Sequence, residues 1–216
     1  GVSISPDGKW VAAASEISNA VNFINTATGK KVFAVKTRGK NPEHAVFSPD
    51  SKLMMVSAEE ADSVDIIDVK KRKQVGSVKV GDRPRGIAFR PDGKVAYVAC
   101  EIASTVYAID VAQRKVIAEI KTGNFANGVA MAPDGSRVFI SNGKDGTVSA
   151  IDTADNSILA TIPVGKRPWN MAITPDGKKL YVANGRSHSV SVIDAVELKP
   201  IGEIKVGELP WGVVIQ

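Results

Sequence analysis

A proline–aspartate pair returns along this chain at an almost constant interval. It stands at Pro6-Asp7, Pro49-Asp50, Pro91-Asp92, Pro133-Asp134 and Pro175-Asp176, with spacings of 43, 42, 42 and 42. A second series keeps step with it: Ile24-Asn25, Ile67-Asp68, Ile109-Asp110, Ile151-Asp152 and Ile193-Asp194. A third runs Pro42, Pro84, Ala126, Pro168, Pro210, at 42 throughout. Three series in one register define a repeat protein, which restricts the fold more than composition does.

Each repeat reads as four short strands. In the third, Gly86 to Phe89, Val95 to Ala99, Thr105 to Ile109 and Val116 to Ile120 are rich in β-branched and aromatic residues. Turn residues separate them, and no long segment has helical periodicity. In the Pro-Asp-Gly turn, proline presets φ, aspartate tolerates the third position and glycine takes the left-handed one. Ser51 replaces that glycine in the second repeat. At positive φ it would carry roughly 1 kcal/mol of strain. The Ile-Asp series ends the third strand, with the aspartate placed to accept from the next turn.

Four strands at a period near 42 indicate a β-propeller blade, because one such sheet cannot bury both faces alone and is covered by its neighbours. The expected fold is therefore all-β, with five blades of four antiparallel strands. The repeats fall at about 1–43, 44–85, 86–127, 128–169 and 170–211 in one domain, with 212–216 as the first strand of a further blade. Both chain ends fall at the same strand phase, so neither completes the other. The expectation is the C-terminal part of a larger ring, or a chain that closes another way, with open end blades prone to associate.

Composition excludes little. Of 216 residues, 28 are basic and 23 acidic, for a net charge of +5. The lysines are scattered, which argues against single-stranded nucleic acid as a partner. Cys100 is the only cysteine, so neither an internal disulfide nor a cysteine zinc cage is possible. No apolar run has the length of a membrane helix. There is no Gly-x-Ser-x-Gly elbow, phosphate loop or dinucleotide fingerprint.

The segments Tyr97-Val98-Ala99-Cys100, Phe139-Ile140-Ser141-Asn142 and Tyr181-Val182-Ala183-Asn184 resemble the Tyr-Val-Thr-Asn repeat of the YVTN β-propellers. The opening Gly1 to Lys9 and the ending Val206 to Val214 resemble the family of β-propeller proteins associated with PQQ-dependent alcohol catabolism. That resemblance implies a periplasmic or extracellular, seven-bladed propeller, of which this chain would be the C-terminal part, working near a quinoprotein dehydrogenase or cytochrome c partner. It implies no particular catalytic activity.

In a propeller, the linkers from strand four to the next strand one share a face with the loops joining strands two and three. Glu43, His44, Arg85, Asn127, Trp169, Asn170 and Trp211 all follow the same linker landmark. They form the expected face for a partner or small ligand, because the frame is constant and its residues vary. Trp169 and Trp211 suit a flat ligand, and Arg85 suits a carboxylate or phosphate. Ten residues beyond each turn proline stand Glu16, Glu59, Glu101, Gly143 and Gly185, so the blade edge reads as acidic on one arc and neutral on the other. Glu16, Glu59 and Glu101 with His44 are a candidate site for a divalent cation or cationic ligand. Alternatively, these glutamates bond linker amides or pair with Arg85. Glu43 beside His44 has acid–base capacity, but nothing fixes a nucleophile next to them. The expected function is non-enzymatic binding of a partner or small ligand. A cofactor or metal at the channel mouth, as in redox or enzymatic propellers, is the alternative.

Overall fold

The computed structural model describes residues 1–215. The fold is a β-propeller fold of five four-stranded antiparallel sheets, each built from consecutive strands. The first blade contains β1 (Val2–Ile4), β2 (Trp10–Ser15), β3 (Ala20–Asn25) and β4 (Lys31–Lys36). The second contains β5 (Pro42–Phe47), β6 (Leu53–Ala58), β7 (Ser63–Asp68) and β8 (Lys73–Lys79), with one 3₁₀ turn at Glu59–Ala61. The third comprises β9 (Pro84–Phe89), β10 (Val95–Cys100), β11 (Thr105–Asp110) and β12 (Lys115–Lys121). In the fourth are β13 (Ala126–Met131), β14 (Arg137–Asn142), β15 (Thr147–Asp152) and β16 (Ile158–Pro163). The fifth holds β17 (Pro168–Ile173), β18 (Lys179–Asn184), β19 (Ser189–Asp194) and β20 (Lys199–Lys205).

Two boundaries differ from expectation. Strand one begins at the linker proline or Ala126, two residues before the repeat starts read from sequence, because the proline end of the linker already pairs with strand two. The expected first strand of a further blade at 212–216 is not formed at 212–215, and Gln216 lies outside the described residues. A strand is defined by its ladder partner, and residues 212–215 have none among the described residues.

Contacts divide the chain into two compact units, Gly1–Val98 with Tyr107–Ile117, and Ala99–Val106 with Ala118–Gln216. In the first unit, Phe23, Val35, Phe47, Met54, Val56 and Ile67 form a buried cluster between the first two sheets. Phe23 stacks on Phe33 at 4.4 Å between ring centroids, and Trp10 meets Phe33 edge-on at 5.4 Å. In the second unit, Phe139, Val148, Ile162, Leu180, Val182 and Ile193 fill the corresponding layer. Strands two and three supply most of these residues because their alternating side chains are covered on both faces.

The connections repeat more strictly than their residues. Gly8, Ser51, Gly93, Gly135 and Gly177 all have positive φ, with Ser51 at 60°. Its Oγ accepts the Asp7 N–H at 3.1 Å on the surface. Ser51→Gly is expected to stabilise the protein by about 0.5 kcal/mol, relief of strain outweighing that exposed bond. The urea midpoint checks this, and an unchanged or lower midpoint would show that the hydroxyl outweighs the strain.

Candidate functional site

Strand one of three blades carries a bulge at its start. The register shifts between Pro42 and Ala45, between Ala126 and Val129, and between Pro168 and Met171. The skipped residues are Glu43 and His44, Asn127 and Gly128, and Trp169 and Asn170. At least five of the seven expected face residues therefore sit where the ladder is broken. A bulge takes side chains out of strict alternation and aims them anew.

The amide released by each bulge is satisfied locally. His44 N–H donates to Ser57 Oγ at 3.0 Å, and Gly128 N–H to Ser141 Oγ at 2.8 Å. Both serines lie at the same strand-two position. The fifth blade has Ala183 there, and Asn170 N–H instead donates to the Trp211 carbonyl at 3.3 Å. This bond places Trp211 beside Trp169, with ring centroids 6.5 Å apart and tilted by 58°. Trp211 is 52% exposed. The Trp169 ring lies over Gly185, where a Cβ would come within 3.2 Å of it. Asn127 is buried.

In the first unit the face is ionic. Glu43 is buried and ion-paired with Arg85. Arg85 also reaches Glu59 at 3.5 Å. Glu59 is further held by Arg83 and by the Asn41 amide at 3.1 Å. Burial pushes the Glu43 carboxyl above the usual carboxylate range, while the Arg85 hydrogen bond and charge oppose the shift. Arg85 is thus committed to two carboxylates. Glu16 is exposed and lines a shallow cleft with Asn19, Lys40, Asn41 and Glu60. In the second unit Glu101 is buried, and its carboxylate accepts from Arg167 at 2.8 Å. Arg167 also lies 5.4 Å from the Phe125 ring centre. Among the described residues, no three His, Cys, Asp or Glu side chains are grouped to hold a metal ion.

Sequence reading missed Arg83, Phe125 and Arg167, which share one column with Asn41 and Leu209. All five have positive φ, between 51° and 63°. The column stands one residue before the linker proline or alanine, and its mixed residue types hid it. Four of the five are steadied in the same way. Asn19 Oδ1, Asp62 Oδ1, Ser104 Oγ and His188 Nδ1 accept the N–H of Asn41, Arg83, Phe125 and Leu209 at 2.8, 3.1, 3.2 and 3.1 Å. His188 is thus a linker cap. Gly143 and Gly185 are not left-handed, whereas Gly146 and His188 are.

The family described as "Lactonase, 7-bladed beta-propeller" matches residues 68–199, more than half of the chain. No curated protein matches the sequence. Among solved structures, Kuenenia stuttgartiensis hydrazine synthase is similar with a TM-score of 0.74 and 21% identity, over 98% of this chain and 87% of that one. A functionally unknown protein from Desulfotomaculum acetoxidans DSM 771 has a TM-score of 0.87 and 18% identity, over 96% and 69% of the two chains. At such identities the likeness speaks for the fold alone.

Proposed function

The chain belongs to the seven-bladed lactonase β-propeller family, and from that premise we propose that it is a non-enzymatic binding propeller. The strand-one bulges of its second unit, with Trp169 and Trp211, hold a small ligand or a partner surface. One observation carries this reading: the same backbone irregularity recurs in three blades and presents a different side chain each time. Glu43 is taken up by Arg85 and Asn127 is buried, whereas Trp169 is only partly buried, with the exposed Trp211 beside it. Resemblance of the two chain ends to the PQQ-associated propellers supports a place in the periplasm beside alcohol-oxidising quinoproteins, with a quinoprotein dehydrogenase or cytochrome c as partner.

The tilted Trp169–Trp211 pair suits a flat ligand, so free pyrroloquinoline quinone is a direct probe. Trp211→Ala is expected to weaken its binding about tenfold, in line with loss of one aromatic contact of 1–2 kcal/mol. Because that ring is half exposed, the unfolding midpoint should hardly move. Tryptophan quenching and thermal unfolding together read both. Equal quenching and affinity in the variant would remove Trp211 from the site.

A second reading is lactone hydrolysis. The family description favours it, and so does a buried carboxyl, Glu43, with its pKa raised in a cluster of charges. Acid release from a simple lactone separates the two readings. Turnover that disappears in Glu43→Gln would replace the binding proposal with an enzymatic one.

A further inference from the structure

We propose that a cleft of the second unit, between the linkers 122–125 and 164–167 and the loops 143–146 and 185–188, binds a small multivalent oxyanion. Its volume is about 620 Å³, within the range of small-ligand sites. Lys144, Lys166, Arg167 and Arg186 line it. Lys144 and Arg186 occupy the same position in successive blades, one residue after the Glu/Gly column. The arc that reads as neutral from Gly143 and Gly185 is therefore cationic one step on.

Three glycines open the space. Gly143 stands where earlier blades carry Glu16, Glu59 and Glu101. Gly146 stands where the other four blades carry the linker-capping Asn19, Asp62, Ser104 and His188. Gly165 contributes backbone alone, and its carbonyl would lie 3.2 Å from a Cβ on Gly146.

The charge balance favours an anion. Asp145 is the one carboxylate lining the cleft among the described residues. It is turned to Asn124, accepting from the backbone N–H at 2.7 Å and from Nδ2 at 3.0 Å. Arg167 spends part of its charge on Glu101. Lys144 lies 5.6 Å from the Phe125 ring centre, on the same ring that Arg167 approaches. That aromatic holds two cations without neutralising them. Among the described residues, no carboxylate lies within ion-pair distance of Lys144, Lys166 or Arg186, and the Lys144 charge adds only the least part to the hold that Asn124 has on Asp145. Three like charges around a concave surface repel one another, and a dianion relieves that repulsion.

The site shares no tested residue with the Trp211 experiment, so either proposal can fail alone. Calorimetric titration with inorganic phosphate, citrate and acetate at low salt tests it. Phosphate, citrate or both should bind, and acetate should bind far more weakly. The winning arm distinguishes phosphate from polycarboxylate chemistry. Lys166→Ala with Arg186→Ala should weaken binding about tenfold or more, as loss of charged hydrogen bonds does. Lys178→Ala, a solvated turn lysine, should leave binding intact. Thermal unfolding of each variant verifies the fold. Absence of binding by both polyanions, equal binding of acetate, or equal weakening by Lys178→Ala would overturn the proposal. So would a single-stranded oligonucleotide that binds tightly and displaces phosphate.

Discussion

Gly128→Ala is expected to cost at least about 3 kcal/mol of stability, the upper range for forced overpacking. A Cβ at this position would lie 2.3 Å from the Trp169 carbonyl oxygen and 3.1 Å from its carbonyl carbon. The obstacle is main chain, so no rotamer change relieves it. Gly128 lies in the bulge of β13, and Trp169 lies in the bulge of β17. To make room, one bulge has to move, and the Ser141 hydroxyl bond to Gly128 N–H is disturbed with it. Gly202→Ala is the control, because nothing lies within 4 Å of a Cβ there. It should be neutral or stabilising by up to about 1 kcal/mol, since alanine loses less chain entropy. Urea unfolding followed by far-UV circular dichroism compares the two. A loss below about 1 kcal/mol for Gly128→Ala would mean that the adjacent blades separate at little cost. Displacement of Trp169 should also change tryptophan emission.

Arg85→Ala is expected to destabilise the protein by about 3 kcal/mol near neutral pH, because it leaves a buried carboxylate without its counter-charge. Glu59 keeps Arg83 and Asn41, so Glu43 bears most of the loss. The sign of the pH dependence follows from Glu43. Its folded pKa already lies above its unfolded value, and removal of Arg85 raises it further. A raised carboxyl weakens the folded state only when ionised. The cost is absent below the unfolded pKa of roughly 4.3 and grows as pH rises through the folded pKa. The difference between variant and wild type should therefore shrink between pH 7.5 and 4.5. Glu43→Gln combined with Arg85→Ala should recover part of the loss at pH 7.5. A deficit that is the same at both pH values would assign the effect to lost packing of the Arg85 stem.

The first of these predictions is invisible in the sequence, and the second is only half visible. Gly128 reads as an ordinary residue of strand one; its constraint comes from a neighbouring blade whose contact lies about a full repeat away. Arg85 and Glu43 were both placed on the linker face from sequence, and a pairing of Arg85 with the Glu16, Glu59 and Glu101 series was one of two alternatives there, met by Glu59. The pairing of Arg85 with Glu43 was not read from the sequence, nor were those of Glu59 with Arg83 and Glu101 with Arg167, whose arginines stand on the left-handed linker column. The Lys144–Arg186 column was passed over, because Gly143 and Gly185 made that arc read as neutral. Only the cleft left by Gly143, Gly146 and Gly165 gives it a concave surface to act on.

The order of strands, the turn types and the blade count were written in the chain itself. They depend on local rules, proline and glycine φ preferences and two-residue alternation, which a repeat states five times over. Ser51 illustrates this: the repeat marked it as the residue standing at a glycine's turn position, and its φ is 60°. What the linker residues touch was decided by tertiary structure, because a bulge breaks the alternation from which side-chain direction is read. Burial then sets which of the charged groups meet each other and which are left facing a cleft.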